Sequence, residues 1–226
     1  MNGKALKLIQ PVSKRDQVVS SFKEAILSGI IQPGEAIVES KVAQQLGAGI
    51  PLVREALIEL EHQGYVRKVP YKGTTVTKLE RHHVEQIFRL RVELETLAIE
   101  WARESVTNED IEQLRVITGK MKQSAEALDL DRFYENDLAF HRKLWEMSGN
   151  EYLVDCLERI VVPLFAFFVM KNRRERQSYL ASAAKHEQIV EALPTLSRSK
   201  LRVMMQNSLA GWQTEVLDEL LPRDSD

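Results

Sequence analysis

Residues 136–141 read NDLAFH, which sets Asp137 and His141 four positions apart. On a helix, residues i and i+4 lie one above the other, so this carboxylate and this imidazole could share a proton or a single ion. Phe133 and Leu144 fall near the same face, which points it toward a protein interior. There an ionisable group is costly unless it is paired or metal-bound. A third candidate stands in ASAAKHEQIVEAL, where His186 is in register with Ile189, Val190 and Leu193 on the apolar side of its own helix. Two imidazoles and one carboxylate from neighbouring helices suit Zn, Ni, Mn or Fe, with positions left for water or a ligand. Without a metal, the Asp and His are a hydrogen-bonded structural pair, or His141 and His186 line a polar pocket that holds an anion directly. Arg91 precedes Glu95 by one turn. The pair reads as a salt bridge along a helix or, alternatively, as a guanidinium that lines the cavity and grips a carboxylate. Trp145, one turn beyond His141, is expected to pack beside the site rather than bind ligand.

The elements that must position these groups are helical. From Glu80 onward no strand alternation appears, and apolar residues recur at helical spacing over about 80–104, 107–126, 129–148, 150–170, 174–193 and 196–221. Thr107-Asn108, Gly149-Asn150 and Pro194 supply the breaks. The expectation is an all-α bundle of about six helices. The apolar run IVVPLFAFFVM at 160–170 is too short to span a bilayer and fits a helix buried on nearly all sides, with Pro163 near the start of the run. KNRRERQ at 171–177 reads as a solvated helix entry rather than a second nucleic-acid patch.

The first 78 residues follow a different plan. DQVVSSFKEAILS makes one amphipathic helix stopped by Gly29, KVAQQLG a short second helix ending at Gly47, and LVREALIELEHQG a third, with Pro51 suited to its first turn. YVRKV and TTVTKL alternate around PYKG as a hairpin. A short helix, a tight turn, a second amphipathic helix and a hairpin make a winged helix-turn-helix, whose later helix presents its N-terminal residues to base edges in the major groove. The fold class expected is therefore mainly α: a winged helix-turn-helix DNA-binding domain over 1–78 and an all-helical domain over 79–226, to which the family resemblance given below assigns effector binding and dimerisation. Charge divides the same way. Residues 1–78 carry 11 Lys or Arg against 7 Asp or Glu, and residues 79–226 carry 20 against 26. A basic first part suits phosphate.

With 44% hydrophobic and 28% charged residues the chain has the composition of a soluble globular protein. Cys156 is the only cysteine, which rules out an intrachain disulfide and leads to a cytoplasmic expectation. The N-terminus lacks the apolar stretch of a signal peptide, and no membrane association is expected.

ILSGIIQPGEAIVESKVAQQLG followed by VREALIELEHQGYVRKVPYKGTTV resembles the DNA-binding domain of the GntR family of bacterial transcription regulators, over roughly 14–78. In that family the recognition helix usually opens Gly-Val-Ser-Arg-Thr-Pro-Val-Arg, whereas this chain has GAGIPLVR at 47–54, so Gly49, Ile50 and Pro51 replace Ser, Arg and Thr. The resemblance implies that Arg54 reads the operator, while Ile50 and Ser40, at positions that commonly hold arginines, cannot make a bidentate contact to guanine. An altered operator preference is expected. Lys41 and Lys72 are left to hold phosphates, and Gly73 and Thr74 to form the wing that enters the minor groove.

Residues 80–221 are similar to the FCD effector domain of the FadR branch, in its VanR-like six-helix form, on RLRVELETLAIEWA, NDLAFHRKLWEMSGN and KHEQIVEAL. Many such domains bind a divalent metal through an Asp and three His, and the metal takes part in holding a small carboxylate. The resemblance maps Asp137, His141 and His186 onto three of these ligands and places Ser208 at the fourth. A hydroxyl is a poor ligand, so water or the effector's carboxylate would complete a site for Zn, Ni or Mn. Arg91 and Ser208 are the expected effector contacts. The function implied is a transcription regulator that binds operator DNA as a homodimer and answers to a small carboxylate. Two other readings stay open. One is a metalloenzyme with a two-His, one-carboxylate site, although no acid or base stands out beside the ligands. The other is a regulator with a degenerate pocket that responds to a protein partner.

Overall fold

The computed structural model describes residues 13–171 and 176–221. Most of the charge run at 171–177 therefore lies outside the described residues. The chain folds as two units, Met1–Val76 and Thr77–Asp226.

In the first unit, α1 (Lys14–Leu27) starts where the Ser13 side chain accepts a hydrogen bond from the Asp16 backbone N–H. It buries Val18, Val19, Phe22 and Ile26 against α3 (Ile50–His62), which contributes Val53, Ala56, Leu57 and Leu60. Between them, α2 (Glu39–Leu46) ends at Gly47, whose left-handed φ of 60° lets the chain reverse without a side-chain clash. Gly49 caps α3 and Pro51 occupies its first turn, where a missing N–H costs nothing. The expected hairpin is present: β2 (Val66–Val69) and β3 (Gly73–Val76) are antiparallel, with Val66 opposite Val76 and Val69 opposite Gly73. A two-residue strand, β1 (Ala36–Ile37), pairs with the other side of β3, giving the order β1-β3-β2. Two residues carry no readable alternation, so the sequence showed only an extended piece there.

The second unit contains α4 (Arg81–Ser105), α5 (Asn108–Ala127), α6 (Leu130–Met147), α7 (Glu151–Lys171), α8 (Arg176–Ala192) and α9 (Arg198–Leu220). Each helix lies within two residues of its expected bounds. Local chemistry sets the ends. Thr107 and Asp110 form a reciprocal capping box at α5, and the Asp129 side chain accepts from the Arg132 N–H at α6. Pro163 stands inside α7, where it deletes one backbone donor. The helix around it is apolar and buried from Val161 to Phe168 apart from the half-buried Pro163, so packing maintains what the proline weakens. No helix among the described residues is long and apolar enough to cross a membrane.

The core of this unit is aromatic and aliphatic, with Phe88, Phe133, Phe140, Trp145, Phe167 and Phe168 almost fully buried. Burying each such ring contributes roughly 1.5–3 kcal/mol. Helix α4 packs on α6, α7 and α9, and α5 packs on α6 and α8. Arg202 reaches from α9 to grip both oxygens of Glu100 on α4 at 2.9 and 2.7 Å. Arg103 donates to the Leu196 carbonyl just ahead of α9, and Arg81 donates to the Leu217 and Leu221 carbonyls. Helix α9 is thus tied to α4 along its length, which fixes Ser208 and Trp212 relative to Arg91.

Candidate metal and effector site

Three helices converge on one buried polar cluster. Asp137 and His141 come from α6, His186 from α8, and Arg91 with Glu95 from α4. Their side chains are all buried, Arg91 and Glu95 to 1% exposure. The amphipathic pattern of α6 forces this inward placement, because Phe133, Phe140 and Leu144 face the same core.

Glu95 organises the cluster. It pairs through Oε1 with the Arg91 Nε, and its Oε2 lies 2.5 Å from His141 Nδ1 and accepts from Trp145 Nε1 at 3.3 Å. Burial alone would raise this carboxyl, but the adjacent Arg91 charge and the His141 contacts outweigh it and hold its pKa at about 2. Arg91 fixes the histidine's other nitrogen: Nη2 is 3.1 Å from His141 Nε2. A guanidinium only donates, so Nε2 must accept and Nδ1 carries the hydrogen given to Glu95. The His141 lone pair therefore points toward Arg91 and Asp137.

Asp137 Oδ1 lies 3.0 Å from His186 Nε2 and 3.5 Å from His141 Nε2, yet no donor is aligned on this buried oxygen. His186 Nδ1 is 2.8 Å from the Ser182 carbonyl, which takes its hydrogen and turns Nε2 toward Asp137. Burial opposes charge on both members. The attraction between them prevails, holding the Asp137 carboxyl below its ordinary range and the His186 imidazole above its own. At 3.0 Å two lone pairs would repel, so the gap needs a positive bridge, either the imidazolium proton or a cation. Donor atoms of Asp137, His141 and His186 all lie within 4.8 Å of one another. An unaligned buried carboxylate oxygen facing two imidazole nitrogens is a donor set that fits Zn, Ni or Mn. A second group, Glu80, His82 and His83, also has donors this close, but it is largely exposed and His83 Nδ1 already accepts from the Glu80 N–H.

The cluster forms the floor of a cavity of about 380 Å³. Arg91, Asp137, His141, His186 and Ser208 all line it, so the geometry brings together every metal and effector residue expected from the sequence. Arg91 is paired with Glu95 and also lines the cavity. Its guanidinium carbon lies 4.8 Å from the Trp212 ring centre, 5.2 Å from Phe165 and 5.8 Å from Phe88, and its Nη1 is buried without a hydrogen-bond partner. Gln177, Ser178 and Ser182 add neutral polar groups to the walls. Trp145 stays out of the cavity lining and packs behind His141, as expected.

In the first unit, Ser40 and Lys41 lie exposed in the first turn of α2, while Gly49, Ile50, Pro51 and Arg54 form the exposed entry to α3. Arg54 Nε contacts Glu39 Oε2 at 2.6 Å, a partner that the spacing did not reveal. Lys72 and Gly73 are exposed at the hairpin turn, with Thr74 half-buried on β3. Sequence reasoning missed Tyr71, fully exposed at this turn with a left-handed φ of 63° that non-glycine residues rarely adopt. It also took Glu95 only as a partner for Arg91.

Comparison with known proteins agrees with this division. Residues 14–76 match the description "Bacterial regulatory proteins, gntR family", and residues 86–211 match "FCD domain". The chain is similar to the HTH-type transcriptional regulator McbR of Escherichia coli K12, at 28% identity over 151 residues, covering 67% of this chain and 68% of that one. It is also similar to the gluconate operon transcriptional repressor of Bacillus licheniformis, at 23% identity over 217 residues, covering 94% and 88%. The solved structure of E. coli McbR/YncC shares the fold with a TM-score of 0.69 at 22% identity, covering 92% of this chain and 99% of that chain. A gntR-type winged helix followed by an FCD domain spanning more than half of the sequence establishes that the chain belongs to the gntR family of bacterial transcription regulators, in the group that carries an FCD domain.

Proposed function

We propose that this regulator holds a small carboxylate metabolite in the cavity of its helical unit, and that occupancy changes the affinity of a homodimer for operator DNA. The observation that carries the reading is Arg91: a fully buried cation with an unpartnered Nη1, facing a cavity also lined by two histidines. A guanidinium fork matches a carboxylate in shape and charge. Operator contacts fall to Arg54 for bases, to Lys41 and Lys72 for phosphates, and to the turn at Gly73 and Thr74 for the minor groove. Ser40, Gly49, Ile50 and Pro51 shape the same surface without strong donors, so specificity rests on few residues.

Asp137, His141 and His186 would hold a divalent ion, with Ser208 beside it as a weak donor or as a contact to the effector. When bound, that ion supplies positive charge and open coordination positions. The chain's own groups orient the ligand. Arg91 aims its N–H groups, Glu95 fixes the His141 ring, and Ser182 fixes His186. The hydroxyls of Ser178, Ser182 and Ser208 and the Gln177 amide favour an acid that itself carries hydroxyl groups. The similarity to a gluconate operon repressor supports this class.

The test is a thermal-shift series with gluconate and related hydroxylated acids against unsubstituted aliphatic acids of equal length. Each is run with and without added Zn, and DNA retention is measured on sequences selected from a random pool. Stabilisation by the hydroxylated acids that disappears in Arg91→Gln is the expected result. Equal stabilisation in Arg91→Gln would overturn the assignment of Arg91, and no stabilisation by any acid would overturn the effector class.

A further inference from the structure

We infer that Arg91 competes with the metal for His141, so that loading the metal frees the guanidinium to bind the effector's carboxylate. The inference rests on the functional reading above and adds the coupling between its two parts.

An imidazole nitrogen has one in-plane lone pair. In this structure the His141 Nε2 lone pair receives the Arg91 Nη2 hydrogen at 3.1 Å, while Nδ1 is committed to Glu95. A metal approaching Asp137 and His186 reaches His141 only through the same lone pair, so hydrogen bond and coordination bond exclude each other. Charge acts in the same direction, because a divalent ion beside His141 repels the guanidinium. The other end of Arg91 is anchored. Its Nε pairs with Glu95 on the same helix, and its plane is surrounded by Phe88, Phe165 and Trp212. Displacement therefore turns the Nη end and leaves the stem in place. Nη1 already has no hydrogen-bond partner. Once Nη2 leaves His141, two adjacent donors face the cavity, the arrangement that a carboxylate accepts with both oxygens. Metal and acid then bind with positive cooperativity, and linkage requires each to tighten the other equally.

The test measures metal affinity directly, by competing Zn between a chromogenic chelator and the protein, for the wild type and for Arg91→Lys. Lysine retains a cation for Glu95 but lacks the second nitrogen that engages His141. Removing that hydrogen bond should tighten Zn binding by about tenfold, the value of one hydrogen bond of ordinary net strength. Unchanged or weaker binding by Arg91→Lys, with its melting transition intact, overturns the competition. A measurement on the wild type covers the case of a variant that fails to fold. The side-chain nitrogen resonances of Arg91, slowed in exchange by the His141 contact, should shift and exchange faster as Zn is added. Resonances unmoved at saturating Zn overturn the inference and leave the metal site standing. Failure of the wild type to bind Zn, Ni or Mn at all overturns the metal reading together with the inference.

Discussion

The Oε2 of Glu95 and the Nδ1 of His141 lie 2.5 Å apart across 46 positions of sequence, joining α4 to α6 at the floor of the cavity. The contact settles which nitrogen of the ring faces the cavity. A carboxylate placed behind an imidazole fixes the orientation and tautomer of the ring.

Glu95→Gln keeps the shape of this residue but removes the charge that Arg91 and His141 surround. Breaking a buried ion cluster by removing one partner costs about 3–5 kcal/mol, to be read as a loss in denaturant midpoint at constant slope. Zn affinity should fall by about 10–100-fold, as for other outer partners of metal-bound histidines. A variant that lost stability but bound Zn as tightly as the wild type would reduce Glu95 to a structural ion-pair partner.

Acid sensitivity can be assigned residue by residue. Asp110 caps α5 through Thr107 and pairs with Lys143 at 2.7 Å. The Lys143 and Thr107 hydrogen bonds lower its pKa from 3.8 to about 2. A depressed carboxyl contributes stability that is complete above its unfolded value and is lost as pH falls through its folded value. The contribution of Asp110 should therefore be constant above about pH 4 and vanish toward pH 2. Solvent screening at this partly exposed site reduces it to about 1 kcal/mol. Asp110→Asn should be less stable than the wild type by that amount at neutral pH, with the two stability curves converging in acid. A difference unchanged down to pH 2 would exclude the ionised carboxylate as its source.

On the DNA side, Arg54 and Lys72 should fail in different ways. Arg54→Ala is expected to cost about 1–3 kcal/mol and to relax preference at one base position, the outcome that the base contact proposed for its guanidinium requires. Lys72→Ala should weaken all sequences alike and lower the slope of log affinity against log salt by about 1. Tyr71→Ala should weaken binding without changing the salt slope, since an exposed ring at the hairpin turn adds contact but no charge. Binding selections on a random pool, followed by titrations at several salt concentrations, separate the three. Identical salt slopes for Lys72→Ala and the wild type would remove Lys72 from the phosphate contacts.

Much of the fold was legible because it rests on local rules. The six long helices announced themselves through period, caps and glycines, and the hairpin through alternation around PYKG. The inward face of α6 was readable for the same reason, since Asp137 and His141 share a stripe with Phe133 and Leu144. What escaped was set by tertiary approach. Nothing in the spacing joins Glu95 to His141, Arg54 to Glu39, or β1 to β3, because each pairing depends on how separate segments pack. Arg91 shows the boundary between the two. Its partner one turn along was visible, while its hold on His141 and its aromatic surroundings exist only in the assembled bundle.

Ser208 gives the last prediction. It lines the cavity from α9, a helix held to α4 by the Arg202–Glu100 pair, so a ligand placed there would be positioned rigidly. Ser208→His supplies a fourth strong donor to Asp137, His141 and His186, and a nitrogen ligand displaces a loosely held water or hydroxyl. Zn should bind at least about tenfold more tightly than to the wild type. Melting at a fixed excess of Zn should rise accordingly, because a ligand stabilises the folded state in proportion to the logarithm of its concentration over Kd. The same substitution fills part of the cavity and occupies the coordination position that an effector's carboxylate would take. Acid-induced stabilisation should therefore shrink as Zn affinity grows. A variant that gained Zn affinity and kept its full response to acid would show that the carboxylate does not bind at the metal, leaving Arg91 as its anchor.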